Sequence, residues 1–291
     1  MAERRGGHID FRKYHGLGND YLVIDPADVP GWNPAPEAVR AICDRNYGPG
    51  SDGILFGPLD DGSGLDLRIY NPDGSEAEKS GNGLRIFAWY LHERGLVGPE
   101  GRRLSTKGGG VIVRIVDAAA RVVEVDMGAP DFSASALGLR TSEPELVGAG
   151  YGFGGRDLKV SCVSMGNPHC VVLLPGVARQ DAIALGPVIE NDRLFPNRTN
   201  VQFLDPVSPS VIRIEIWERG AGYTLASGSS SCAGAAVRRR LGLGGDEVTV
   251  RMPGGELGVS FRDGSAFLTG PVEPVYEGRL LPPLRERSGL R

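Results

Sequence analysis

Short runs of aliphatic and aromatic residues, many alternating with polar ones, recur along the chain and are broken by clusters of Gly, Asn, Asp and Ser. Alternation with period two is what a half-buried strand requires, because successive side chains point to opposite faces. The pattern predicts strands over 21–25, 53–56, 65–70, 110–116, 121–127, 160–165, 170–174, 200–204, 211–217, 247–252 and 266–269. Helical spacing is rarer. It covers 36–45, 83–93, 180–189 and 230–241, and the second and fourth of these open directly after a Gly/Asn/Ser-rich turn. The 44 glycines gather in the breaks, as tight turns between many short strands demand.

The two halves of the chain repeat. Laid over each other with a shift of about 147 residues, Gly18-Asn19 falls on Gly166-Asn167, Arg68-Ile69 lies near Arg213-Ile214, Asn71 falls on Glu218, Ser80-Gly81 on Ser227-Gly228, and Gly95 on Gly242. One shared Gly-Asn pair would mean nothing, since such pairs are common in turns; a near-constant shift across several features is a repeat. It predicts two similar lobes, each with a strand, a Gly-rich turn and a helix whose N-terminus carries a serine. Two such helix ends facing each other would form one pocket, rich in N–H donors and positive dipole ends, that suits a carboxylate.

A chain of 291 residues is long enough for two cores. With 41% hydrophobic and 23% charged residues, neither a disordered nor a fibrous class fits. The net charge of −4 and pI near 5.7 provide no basic field to neutralise a phosphate backbone, so nucleic acid is not an expected partner. The run Arg238 to Arg240 reads as the solvated C-terminal end of a helix, where cations suit the dipole, rather than as a phosphate patch. No stretch reaches the ~20 apolar residues of a bilayer span, and the opening MAERRGGHID lacks the apolar segment of a secretory signal. A cytoplasmic location without membrane attachment is expected. Cys43, Cys162, Cys170 and Cys232 show neither CxxC nor zinc spacing and read as buried reduced thiols, with no metal implied.

Two segments carry the candidate chemistry: Asn71-Pro-Asp-Gly-Ser-Glu-Ala-Glu-Lys-Ser80-Gly81-Asn82-Gly83 and Glu218-Arg219-Gly-Ala-Gly-Tyr-Thr-Leu-Ala-Ser227-Gly228-Ser229. They resemble the two active-site signatures of the diaminopimelate epimerase family. The likeness extends to His15-Gly-Leu-Gly-Asn19-Asp20, Gly48-Pro-Gly-Ser-Asp52-Gly53, Gly166-Asn167-Pro168-His169 and Thr199-Asn200-Val201, nearly the whole chain in family order. The resemblance implies an α/β fold of two pseudo-symmetric lobes, each a rolled, mostly antiparallel sheet around a central helix, with residues 1–126 and 272–291 in one lobe and 127–271 in the other. It also implies a cofactor-independent isomerase, with neither pyridoxal phosphate nor metal, acting on a small amino-acid-like molecule, and a possible homodimer. In the family one cysteine removes the α-proton and an opposed cysteine returns one. Carried over, those two positions are Ser80 and Ser227, the backbone donors for the α-carboxylate are Gly81-Asn82 and Gly228-Ser229, and the grip on the far end of the substrate is Asn19, Asn71, Asn167, Asn200, Glu218 and Arg219. Each of these six could instead close a turn or join a surface ion pair. An Arg beside a Glu nevertheless suits a free amino acid, since the guanidinium fork grips a carboxylate and the acid an ammonium.

The chain departs from the family at both cysteines and at Tyr223, where the family has an acid. A thiol titrates near ~8.5 and is readily lowered at a helix N-terminus; a serine hydroxyl titrates several units higher, and each unit of mismatch is worth about 1.4 kcal/mol. Serine therefore needs help. His15 and His169 lie on the two Gly-Asn segments and are the candidate bases, although histidines satisfied by backbone hydrogen bonds are the plainer expectation. Cys232 falls inside the helix after Ser227 and is expected to be buried. Three readings stay open: an isomerase diverged toward a substrate with a more acidic proton, as in the phenazine-biosynthesis isomerases that share the fold; an epimerase that has lost its acid/base pair; and a non-catalytic amino-acid binder.

Overall fold

Residues that alternate in the sequence alternate in space. In the strand Leu65–Tyr70, Leu65, Leu67 and Ile69 are buried while Asp66 and Arg68 between them are partly exposed. The protein is described here by a computed structural model that covers residues 9–59 and 65–287. Its Cα trace divides into two compact units: one holds the described residues up to Val123 and from Pro271 onward, the other is Glu124–Gly270.

The first unit opens with β1 (Asp10–Gly16) and β2 (Asn19–Ile24), followed by α1 (Pro36–Cys43), β3 (Ile54–Leu59), β4 (Leu65–Tyr70), β5 (Glu76–Ala77), α2 (Gly81–Glu93), β6 (Arg102–Thr106) and β7 (Gly109–Asp117). β8 (Val122–Gly128) carries the chain onward. The second unit contains α3 (Ala134–Leu137), β9 (Ala149–Phe153), β10 (Arg156–Ser164), β11 (Pro168–Leu173), α4 (Arg179–Glu190), β12 (Asn200–Ser208), β13 (Val211–Glu218), β14 (Gly222–Thr224), α5 (Gly228–Arg240), β15 (Glu247–Met252), β16 (Gly255–Arg262) and β17 (Ser265–Pro271). The chain then returns through β18 (Glu273–Arg279), antiparallel to β1, and α6 (Pro282–Arg287).

Pairing repeats as the sequence does. β1–β2 is an antiparallel hairpin, β2 runs parallel to β3, β3 antiparallel to β4, β4 parallel to β6, and β6 antiparallel to β7. The second unit shows the same order in β10–β11, β11–β12, β12–β13, β13–β15 and β15–β16. Each hairpin turns on a left-handed glycine, Gly18 at φ +85° and Gly166 at φ +89°, a conformation that costs glycine no Cβ clash. Antiparallel pairs predominate, and each parallel pair is spanned by a helix-containing crossover, as parallel strands require.

α2 is buried from Gly81 to Leu91, so it is enclosed on every side and lies within its unit. α5 packs against β10 to β13, β15 and β16, and its small residues Ala233, Gly234, Ala235 and Ala236 allow the strands to come close. The fold is thus mixed α/β, a mostly antiparallel sheet about a buried helix in each unit. The first core gathers Ile9, Leu22, Ile24, Val39, Ile42, Ile54 and Phe56, the second Phe153, Val160, Val172, Ile189, Val201 and Phe203.

The structure corrects several expectations. α2 and α5 begin at Gly81 and Gly228, two residues before the predicted 83 and 230; at α2 the Ser80 hydroxyl caps the first turn despite weak glycine propensity, whereas α5 starts without a side-chain cap. α1 ends at Cys43 rather than 45, where the Asp44 carboxylate turns the chain by accepting the N–H groups of Asn46 and Tyr47, both at 2.8 Å. Among the described residues, seven strands lie outside the predicted set: β1, β5, β6, β9, β14, β16 and β18. β1 is interleaved with Arg12, Lys13 and His15, and β18 is almost wholly exposed, so neither displays an apolar run. Arg238 is not at a solvated helix end. It is fully buried and donates to the carbonyls of Gly245 (2.9 Å) and Pro209, and only Arg239 and Arg240 reach solvent.

Candidate active site

Ser80 and Ser227 are the N-caps of α2 and α5, both in extended backbone (φ −139° and −148°). An N-cap residue leaves the helix's first N–H groups pointing outward with the positive end of the dipole. The two serines differ in detail. The Ser80 hydroxyl accepts from the Gly83 N–H at 3.1 Å and shares a 3.1 Å hydrogen bond with the Tyr21 hydroxyl of β2. A Cβ on Gly83 would stand 3.3 Å from the Ser80 Oγ and 3.0 Å from Leu55, so glycine keeps this cap uncrowded. Ser227 is buried at 5% exposure and its hydroxyl makes no cap hydrogen bond.

Within the first unit the structure joins two of the predicted residues directly. Asn82, in the first turn of α2, donates through Nδ2 to Asn19 Oδ1 at 3.0 Å. Asn19 Nδ2 donates to Asp52 Oδ2 at 2.9 Å, and Arg85 Nη2 donates to Asn82 Oδ1 at 2.9 Å. Arg45 bridges Asp20 and Asp52 at 2.7 Å each, and Lys13 lies 2.7 Å from Asp20. Burial alone would raise the Asp20 carboxyl, but hydrogen bonds from Arg45 and Lys13 hold it below the usual carboxylate range. Asn71 sits apart in the turn before β5, where its Nδ2 donates to Ser75 Oγ at 3.0 Å.

In the second unit the predicted binding residues lie on turns that Asn200 joins. Asn200 donates to the Pro168 carbonyl at 3.0 Å and accepts the Arg219 N–H at 3.0 Å, so one side chain ties the Gly166-Asn167 turn to the Glu218-Arg219 turn. The second turn is also held by Glu190 at the end of α4, which is 5% exposed and accepts from the Gly220 N–H (2.9 Å), Trp217 Nε1 (2.7 Å) and Arg198 (3.1 Å). The guanidinium of Arg219 donates to Asn197 O at 3.3 Å. Gly228 is buried and Ser229 half-buried at the start of α5, and Ser230 accepts from Gln202 Nε2 at 2.9 Å.

His169 is wholly buried on β11, with Nε2 2.9 Å from Asn167 Oδ1. Its Nδ1 makes no backbone hydrogen bond, which departs from the expectation of a backbone-satisfied ring. Burial pushes its pKa down to about 3, which keeps the ring neutral at physiological pH. His15 does match the backbone reading: its Nδ1 accepts the Gly18 N–H at 3.4 Å. Tyr223 supplies no acid. Its hydroxyl donates to the buried Glu215 at 2.7 Å under the guanidinium of Arg179, and burial followed by that hydrogen bond pushes the phenol up to about 12. All four cysteines are buried, Cys232 included, and none forms a disulfide.

The sequence profile of the family described as diaminopimelate epimerase matches residues 11–133 and 161–275 of this chain. The chain belongs to the diaminopimelate epimerase family. It is 46% identical over 274 residues to diaminopimelate epimerase 2 of Nostoc sp. strain PCC 7120, covering 94% of this chain and 95% of that protein. Among solved structures, a probable proline racemase from Agrobacterium radiobacter K84 superposes with a TM-score of 0.67 at 17% identity, over 94% of this chain and 93% of that one. A phenazine biosynthesis protein of the PhzF family from Bacillus anthracis superposes at 0.64 and 15% identity, over 94% and 99%. These two likenesses concern the fold alone. The protein is an isomerase of the epimerase and racemase type.

Sequence reasoning about this family member missed Tyr21, Gln202 and Glu190, each of which touches a residue or turn of the site. A signal existed for Gln202, a polar residue inside the apolar run Asn200-Val-Gln-Phe-Leu204; a buried polar group in such a run needs a partner. None existed for Glu190, which looks like any acid at a helix end.

Proposed function

We propose that this family member transfers a proton at the α-carbon of an amino-acid-like substrate without a cofactor, using Ser80 and Ser227 where its relatives use cysteine. The observation that carries the reading is that both units put a serine hydroxyl at the N-cap of equivalent helices. Donors and dipole at such a cap stabilise the negative charge that builds on a carboxylate as its α-proton leaves. Asn19, Asn71, Asn167, Asn200, Glu218 and Arg219 are proposed to hold the distal end of the substrate, with Gly81, Asn82, Gly228 and Ser229 at the reacting end. Two hydroxyls are weak acid/base groups for an ordinary amino acid. The reading therefore favours a substrate whose α-proton is more acidic, such as an unsaturated amino acid, over diaminopimelate.

A second reading has a specific observation behind it. The 46% identity to a diaminopimelate epimerase supports an unchanged substrate, turned over slowly by a weakened pair. Incubation of both substrate classes in heavy water, read by mass spectrometry, separates the two: label in the unsaturated analogue alone supports the first reading, and slow label in diaminopimelate the second. The double variant Ser80→Cys/Ser227→Cys should gain diaminopimelate epimerisation by orders of magnitude if the distal grip is that of the relatives. Silence of the double variant together with no binding of any amino acid would sink both readings.

A further inference from the structure

The hydrogen bonds around Asn19 and Asn82 form a single directed chain: Arg85 to Asn82 at 2.9 Å, Asn82 to Asn19 at 3.0 Å, Asn19 to Asp52 at 2.9 Å. An amide can donate from one arm and accept on the other, and either arm can face either way unless its neighbours decide. Here both neighbours decide. A guanidinium only donates, and an ionised carboxylate only accepts. The Asn82 carbonyl must therefore face Arg85, its NH2 must face Asn19, and the Asn19 NH2 must face Asp52.

Asp52 is itself held as an acceptor on both arms. Its Oδ1 takes Arg45 Nη2 at 2.7 Å, and its Oδ2 takes the Asp20 N–H at 3.1 Å besides Asn19. At the other end Arg85 is fully buried on α2, and a Cβ on Gly16 would stand 2.9 Å from its Nη2, so the glycine at the end of β1 makes room for the guanidinium. Chains of hydrogen bonds that begin on a cation and end on an anion polarise one another in the same sense.

We propose that Asp52 and Arg85 are positioning residues that fix the amide direction of Asn19 and Asn82 before any substrate arrives. This rests on the reading of Asn19 and Asn82 as substrate-binding residues. The relay spares a ligand the reorientation of two amides, and Asn19, its half-buried member, meets the ligand in one orientation. The substitution Asp52→Asn would deprive it of a single direction, because the two arrangements open to the new amide set Asn19 opposite ways. An amide in place of that carboxylate has one accepting arm rather than two, so its NH2 would face either Arg45 or the pair formed by the Asp20 N–H and Asn19. In the second arrangement Asn19 reverses, then Asn82, whose NH2 meets the guanidinium of Arg85.

Side-chain amide resonances of the ligand-free, 15N-labelled full chain test this without any assumption about activity. In Asp52→Asn, the side-chain signals of both Asn19 and Asn82 should shift or double, although Asn82 does not touch residue 52. Asp52→Glu, which still only accepts, should keep a single signal for each. Diaminopimelate or an unsaturated analogue, whichever the wild type binds, should bind Asp52→Asn about tenfold more weakly, and Asp52→Glu less weakly than that. A shift confined to Asn19, with Asn82 unmoved, would overturn the relay. Unchanged affinity in Asp52→Asn would overturn its positioning role. If the wild type binds no amino acid, the reading of the site fails while the resonances still report on the relay.

Discussion

At the residue scale, His169 shows how burial sets chemistry. A ring with a pKa of about 3 is a weak base at physiological pH, and its unfolded value is ~6.5. Between those values the unfolded chain binds a proton that the folded chain refuses, so stability should fall as pH drops from ~6.5 toward 3 and be fully present above. Denaturant unfolding at pH 7 and pH 4 should show a loss on the order of a few kcal/mol in the wild type that is smaller in His169→Gln. Equal losses in both would mean that other groups carry the dependence. The two serines divide at the same scale: the Ser80 hydroxyl caps α2 by accepting the Gly83 N–H, while the Ser227 hydroxyl makes no cap bond at α5.

At the scale of elements, the three arginines that close α5 divide by burial. Arg238 holds the carbonyls of Gly245 and Pro209 from inside, and a Cβ on Gly244 would overlap its guanidinium. Removing it leaves two carbonyls without a charged donor. Arg238→Ala should cost about 3 kcal/mol, whereas Arg239→Ala, which loses an exposed pair with Asp246, should cost less than about 1 kcal/mol. Chemical denaturation checks both, and similar costs for the two would contradict the buried role. The element boundaries teach the same lesson. The sequence shows three basic residues in a row and cannot say which of them points inward, because a helix rotates its face by only about 100° per residue.

At the scale of the whole molecule, the repeat visible in spacing returns as a repeated order of strand pairing. One unit is continuous in the chain and the other is closed by its last strand, since β18 pairs with β1 and Leu280 N–H bonds to Ile9 O at 2.9 Å. A chain ending at Pro271 should therefore lose hydrogen-exchange protection at the β1 amides that face β18, while those that face β2 and the β10–β13 ladder keep theirs. Retained protection at the amides that face β18 would show that β18 is dispensable.

Two central helices and the main strands were legible from the sequence, because hydrophobic spacing, glycine turns and a repeat are local properties. The family resemblance was legible too, since it lies in short motifs. What only the tertiary structure decided is who partners whom: that Asn200 staples two turns, that Asn19 and Asn82 share one directed chain, and that Tyr21 reaches Ser80. Those contacts join residues far apart in the chain, and a hydrogen bond depends on distance and direction in space. No local pattern encodes either.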